Sequence, residues 1–293
     1  MRLRRTALAV PVLLTLAAAS ACAPVDDSDS AADSSGDSAA SGEACGVDDL
    51  SLKTDGQLTI GTDSPAYEPW FTDNDPTNEK GFESAVAYAV ADELGFAKDD
   101  VTWVKVPFNT SYAPGEKNFD FDINQISISP ERAEVVDFSD GYYSAAQAVV
   151  ALKGSKAANA TTLAELKDLR LGAQTGTTSL TAIRDVIEPG TDPAVFEDTN
   201  AAKQALQNDQ IDAVLADLPT AFYISAVEIE DSTIVGQFQP EVGDTEEFGL
   251  LFEKGSELVP CVNDALAALR EDGTLDEIEQ EWLSDVVDVP ELQ

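Results

Sequence analysis

The chain has 293 residues, 55 acidic and 17 basic, with a formal charge of −38, no histidine and three cysteines. Such a surface repels nucleic acid and anionic lipid headgroups, so neither is expected as a partner. Without histidine there is no Ser-His-Asp or Cys-His catalysis and no His-containing zinc site, and no metal or cofactor is expected.

Arg2, Arg4 and Arg5 precede an apolar run, 7–19, that is too short to span a bilayer comfortably and ends in small residues. Residues 1–21 therefore read as an export leader. Ala19-Ser20-Ala21-Cys22 resembles a lipobox, which makes Cys22 the lipidated new N-terminus. A lipid anchor then ties the protein to the extracytoplasmic face of the cell membrane. The following block, 22–45, is rich in Ser, Ala, Asp and Gly and buries too little apolar surface to fold, so it reads as a tether. About 250 residues remain, enough for two modest lobes with a real core. Once Cys22 is lipidated, Cys45 and Cys261 are an even pair in an exported protein, and a disulfide between them is expected.

In chain order, 57–62 alternates toward a strand ending at Gly61-Thr62-Asp63. The loop 63–70 carries two prolines and two aromatics, more rigidity than a linker needs. Gly81 then precedes 82–94, where Phe82, Val86, Val90 and Leu94 recur every four residues: an amphipathic helix stopped by Gly95. Residues 101–106 return as a strand, with Phe108 at its end. Strand, helix and strand in alternation imply a parallel sheet with right-handed crossovers.

In 119–144 the first half again reads as a strand, since Ile123, Ile126 and Ile128 interleave with Asn124, Gln125 and Ser127. Ser129 suits an N-cap and Pro130 the first helical position. Arg132 thus stands near the start of a short helix just past a strand, where its planar fork can hold a carboxylate with two parallel hydrogen bonds. An ion pair with Glu131, Glu134 or Asp137 on a solvated turn is the competing use of that arginine.

Further on, 147–152 is apolar and extended, and a short helix through Leu166 leads to a strand at 171–174. Thr175-Gly176-Thr177-Thr178-Ser179 opens a helix with Leu180, Ile183 and Ile187 on one face; a glycine turn there leaves backbone N–H groups that suit an anion. The strand 211–216 ends at Asp217-Leu218-Pro219, where Asp217 either meets a ligand or caps the helix that Pro219 starts. A strand at 248–252 and a helical face of Leu258, Val262, Ala265, Leu266 and Leu269 follow. Gly273 interrupts, and Leu275, Ile278 and Trp282 begin a last helix.

Ser127-Ile128-Ser129-Pro130-Glu131-Arg132, followed by Val135-Val136-Asp137-Phe138-Ser139 and Gly141-Tyr142-Tyr143, resembles the signature of family 3 extracellular solute-binding proteins, the amino-acid-binding components of ABC importers. The matches run in order from Leu58 to Trp282. The resemblance implies a two-lobed α/β fold of the periplasmic-binding-protein-like type II, with hinge crossovers near 143–147 and 243–247. Lobe 1 would comprise 46–144 and 248–293, and lobe 2 would comprise 145–247, the two being alike in architecture.

Carried over residue by residue, the resemblance also implies a site. Gly61-Thr62-Asp63 and Tyr67-Glu68-Pro69-Trp70 are similar to the family's first-strand motif, which makes Tyr67 one aromatic wall of the pocket and Phe108 the opposite one. Gly81-Phe82-Glu83 matches Gly-Phe-Asp with glutamate in place of aspartate. Gln125, Ser127 and Arg132 fall on carboxylate-binding positions, Gln125 replacing a smaller residue and contributing its backbone. Thr178 is the second carboxylate contact, and Asp217 is the acceptor for the ligand's ammonium group. Asp63, Glu83 and Asn124 are candidates for the ligand's side-chain end. The expected function is then capture of a polar amino acid, glutamine-like or cationic, for a membrane permease, with no enzyme activity. Two rivals are a cyclohexadienyl-dehydratase-like enzyme, with Asp63, Glu83 or Asp217 as general acid, and a stand-alone ligand sensor.

Overall fold

The computed structural model describes residues 45–240, 246–283 and 289–293. The expected leader 1–21, the lipid acceptor Cys22 and all of the tether 22–45 except Cys45 lie outside the described residues, as do 243–245 of the second crossover.

The first half of the chain builds β1 (Leu58–Thr62), α1 (Phe82–Glu93), β2 (Val101–Lys105), α2 (Phe108–Ser111), β3 (Phe121–Asp122), α3 (Pro130–Ala133) and β4 (Val136–Ala145). The second builds β5 (Gln147–Leu152), α4 (Leu163–Leu166), β6 (Leu171–Gln174), α5 (Thr178–Ala182), β7 (Ala194–Phe196), α6 (Thr199–Gln207), β8 (Ala213–Asp217), α7 (Leu218–Tyr223) and β9 (Ser232–Phe238). Then come β10 (Glu246–Glu253), α8 (Val259–Glu271) and α9 (Thr274–Leu283).

These strands form two five-stranded sheets of the same plan, ordered β2-β1-β3-β10-β4 and β7-β6-β8-β5-β9. In each, three parallel strands are followed by one that runs antiparallel to its neighbours on both sides: β10 in the first sheet, β5 in the second. Both antiparallel strands enter through a crossover. The βαβ order accounts for the parallel strands only; the returning strands make the sheets mixed rather than parallel.

Each sheet is covered on both faces. Leu58, Ile60, Phe121, Phe248 and Phe252 are fully buried against the apolar side of α1, α8 and α9. Each such side chain contributes about 1.5–3 kcal/mol of burial. Trp70 packs edge-on against Phe82, Tyr143 and Phe248, with ring centres 5.7–5.9 Å apart. Cys45 and Cys261 are joined, with Cα atoms 5.5 Å apart, so the first described residue is stapled to α8. In the second lobe, Leu166, Leu171, Ile183 and Leu215 fill one side of the sheet, and Ala202, Leu206, Val214 and Ala221 the other.

Two departures from the sequence reading have local causes. The strand expected from 119 shrinks to Phe121–Asp122, because Gln125 turns into the left-handed region at φ 49° and leaves the ladder. The assignment of 248–293 to lobe 1 fails at its last residues. Glu291 bridges Gln237, the Gln237 N–H donates to Pro290 O at 2.8 Å, and Leu292 is buried in the second lobe's core.

Candidate functional site

A cavity of about 60 Å³ lies between the two sheets. Asp63, Tyr67, Phe108, Gln125, Ser127, Thr178 and Asp217 line it, so most of the residues expected from the sequence converge on one place. Asn124, Gln174, Thr177, Ser179, Thr199 and Thr220 complete its polar wall. Glu83 and Arg132 are not among the lining residues; each lies one layer behind.

Glu83 opens α1, where Gly81 admits the chain at φ 92°; a Cβ there would meet Trp70 O at 2.5 Å. The carboxylate is fully buried and receives three donors: the Gln125 N–H at 2.6 Å, the Gln125 amide and the Tyr142 hydroxyl. Burial raises its pKa to about 7, against those hydrogen bonds, which favour the anion. The ligand contact expected of Glu83 is thus replaced by a structural one. The longer acid reaches across and pins Gln125 in its strained turn.

Arg132 sits as the sequence suggested, inside a helix start at which the Ser129 Oγ accepts from the Arg132 N–H. None of the nearby acids pairs with it among the described residues. Its guanidinium donates to Ser127 O at 2.7 Å and to Gly176 O at 2.9 Å, the second bond crossing from lobe 1 to lobe 2. The rings of Tyr112 and Phe108 flank it, with centres 4.7 and 5.8 Å away. The Tyr112 hydroxyl also donates to Gly176 O, at 3.3 Å. Burial lowers the arginine's pKa, opposed by Tyr112, Glu246 and Asp217. A further cross-lobe bond runs from Trp70 Nε1 to Thr220 Oγ1 at 2.8 Å.

The centre of the site is a residue that sequence reasoning missed. Gln147, fully buried at the first crossover, donates its amide to Asp217 Oδ1 and to Glu246 Oε2, both at 2.8 Å. Its carbonyl accepts from the Ser179 hydroxyl at 2.6 Å. Glu246, also missed, accepts from the Ser127 hydroxyl at 2.5 Å, and Ser127 Oγ lies 3.3 Å from Thr178 Oγ1. Asp217 occupies the N-cap position of α7 but makes no capping bond, so its side chain is free to face Gln147 and the cavity. Burial, and then the Glu246 carboxylate, raise the Asp217 pKa to about 8. The cavity can receive a cation at Asp217 on one side, and an anion beside the Ser127 and Thr178 hydroxyls, with the buried Arg132 behind them, on the other. The signal for Gln147 was thin: one amide heading an otherwise apolar strand.

Residues 58–285 match the bacterial extracellular solute-binding proteins, family 3. The chain is 28% identical over 291 residues to the L-cystine-binding protein of Bacillus subtilis, covering 97% of this chain and 99% of the relative. Among solved structures, an ancestral arginine-binding protein bound to glutamine superposes with a TM-score of 0.66 at 31% identity, over 78% of this chain and 99% of its own. An ancestral amino-acid-binding protein described as a precursor of cyclohexadienyl dehydratase superposes at 0.62 with 28% identity, over 78% and 95%. With a two-lobed α/β fold and a family match across most of its length, this chain belongs to the family 3 bacterial extracellular solute-binding proteins.

Proposed function

We propose that the chain captures a free, polar α-amino acid between its lobes and delivers it to the permease of an ABC importer, held at the membrane by a lipid on Cys22. The observation that carries this reading is the Asp217 carboxyl, backed by Gln147 and Glu246, on the wall of a cavity whose other walls include Ser127, Thr178, Tyr67 and Phe108. The ammonium group of the ligand meets Asp217, supported by Glu246. Its carboxylate meets Ser127 and Thr178, with Arg132 exchanging its bond to Gly176 O for a carboxylate oxygen. Tyr67 and Phe108 enclose the stem. Lobe 1 (46–144 and most of the C-terminal part) and lobe 2 (145–247) each supply anchors, so the ligand stabilises their closed arrangement, which is the differential affinity a conformational shift requires. Relatives that bind cystine, and glutamine in an arginine-binding ancestor, support a polar ligand.

The test is a thermal-shift screen of the amino acids, with sugars and dipeptides as controls. A ligand at a hundred times its Kd should add about 2.7 kcal/mol of stability. A shift confined to sugars or peptides refutes the assignment. A second reading rests on Asp217, whose raised pKa suits a general acid, and on the dehydratase precursor among the solved relatives. Turnover of a cyclic prephenate-like acid would establish it.

A further inference from the structure

Of the two acids that the sequence offered to a cationic side chain, Glu83 is committed within the protein, and Asp63, on the cavity wall, has an N–H on each of its oxygens. Asp63 accepts from the Ser64 N–H at 2.6 Å through Oδ1 and from the Phe108 N–H at 3.2 Å through Oδ2. Glu83 is closed off by Gln125 and Tyr142. Two residues that line the cavity carry buried donors in the opposite condition: the Tyr67 hydroxyl and the Asn124 amide nitrogen have no hydrogen-bond partner among the described residues. Few buried donors stay unpaired in a folded protein unless something else satisfies them.

The Tyr67 hydroxyl is fixed as a donor. Burial, and then the Asp198 carboxylate, hold its pKa well above the usual tyrosine range, so it keeps its proton. The Asn200 N–H approaches the phenol oxygen without making a hydrogen bond of ordinary geometry. The Lys203 ammonium lies 5.4 Å from the ring centre, held there by Glu228 at 2.6 and 2.7 Å. A cation over the ring draws density from it and strengthens the O–H as a donor.

We propose that the side chain of the bound amino acid carries a hydrogen-bond acceptor, a carbonyl or carboxylate oxygen, which is received by the Tyr67 hydroxyl and the Asn124 amide. This rests on the α-amino-acid reading, in which the α-carboxylate and ammonium group are taken by Arg132, Ser127, Thr178 and Asp217, leaving these two donors to the side chain. The amide oxygen of glutamine and the second carboxylate of cystine satisfy them. Lysine and arginine end in donors only and leave the Tyr67 O–H unpaired.

Calorimetric titration of the full chain with L-glutamine, L-cystine, L-lysine, L-arginine and L-norleucine tests the proposal. Glutamine or cystine should bind at least tenfold more tightly than the other three. Tyr67→Phe keeps the ring and removes the O–H, and should shrink that preference about tenfold without moving the urea midpoint of unfolding by a comparable amount. Asn124→Leu is the second arm, with the same expectation. If lysine or arginine binds tightest, or if both variants keep the full preference, the acceptor proposal falls while the amino-acid reading stands. If no amino acid binds, both fall.

Discussion

Replacing Gln147 by methionine keeps the volume of a fully buried side chain and deletes its amide. Asp217 and Glu246 then each lose a donor at 2.8 Å, and the Ser179 hydroxyl loses its acceptor. When both acids are ionised, each lost charged bond costs about 1.5–3 kcal/mol, so the two together cost about 3–6 kcal/mol. When Asp217 is protonated it supplies a hydrogen of its own, and the loss falls to about half. Because the folded pKa of Asp217, about 8, lies above its unfolded value, its favourable contribution is complete below about pH 4 and is lost as the pH rises through 8. Removing the amide, which favours the anion, raises that pKa further, so the variant should weaken more steeply than the wild type between pH 6 and 9. Urea unfolding of both proteins at the two pH values, followed by tryptophan emission, measures this directly. Glu83 titrates in the same range but is common to both proteins and cancels in the difference. An equal loss at pH 6 and pH 9 would refute the argument that Gln147 acts by holding two carboxylates.

Reduction of Cys45–Cys261, or its replacement by serines, opens a loop of 216 residues and should cost up to about 5 kcal/mol in the chain-entropy view. Unfolding midpoints with and without reductant read this, and identical midpoints would show that the staple adds nothing. Arg132→Ala should fold yet bind its amino acid at least thirtyfold more weakly, since a desolvated carboxylate left unpaired costs about 2–5 kcal/mol. Unchanged affinity by calorimetry would limit Arg132 to bridging Ser127 and Gly176.

Periodicity located the helices and strands that bury one face. The four-residue spacing of Phe82, Val86 and Val90 became α1, and Ser129-Pro130 became the capped start of α3. The alternation across 119–128 misled, because pattern alone cannot register a backbone that a distant side chain has captured: Glu83 lies 42 positions from Gln125. The same limit hid Gln147 and Glu246, which are 99 residues apart and meet only because β5 and β10 both spring from crossovers. Resemblance supplied the cavity residues because they share loops at strand ends. It placed Arg132 at the site but not its bonds, which depend on a carbonyl of the other lobe.

Residues 289–293 return to the second sheet after α9 has packed on the first, and they do so beside Gln237, which pairs with Ala148 at the start of β5. Gln237 belongs to β9, the edge strand of the second sheet, and its N–H and carbonyl bond Pro290 and Leu292. The last residues of the chain therefore cover backbone groups that an open sheet edge would otherwise offer to another molecule, with Leu292 buried behind them as the seal.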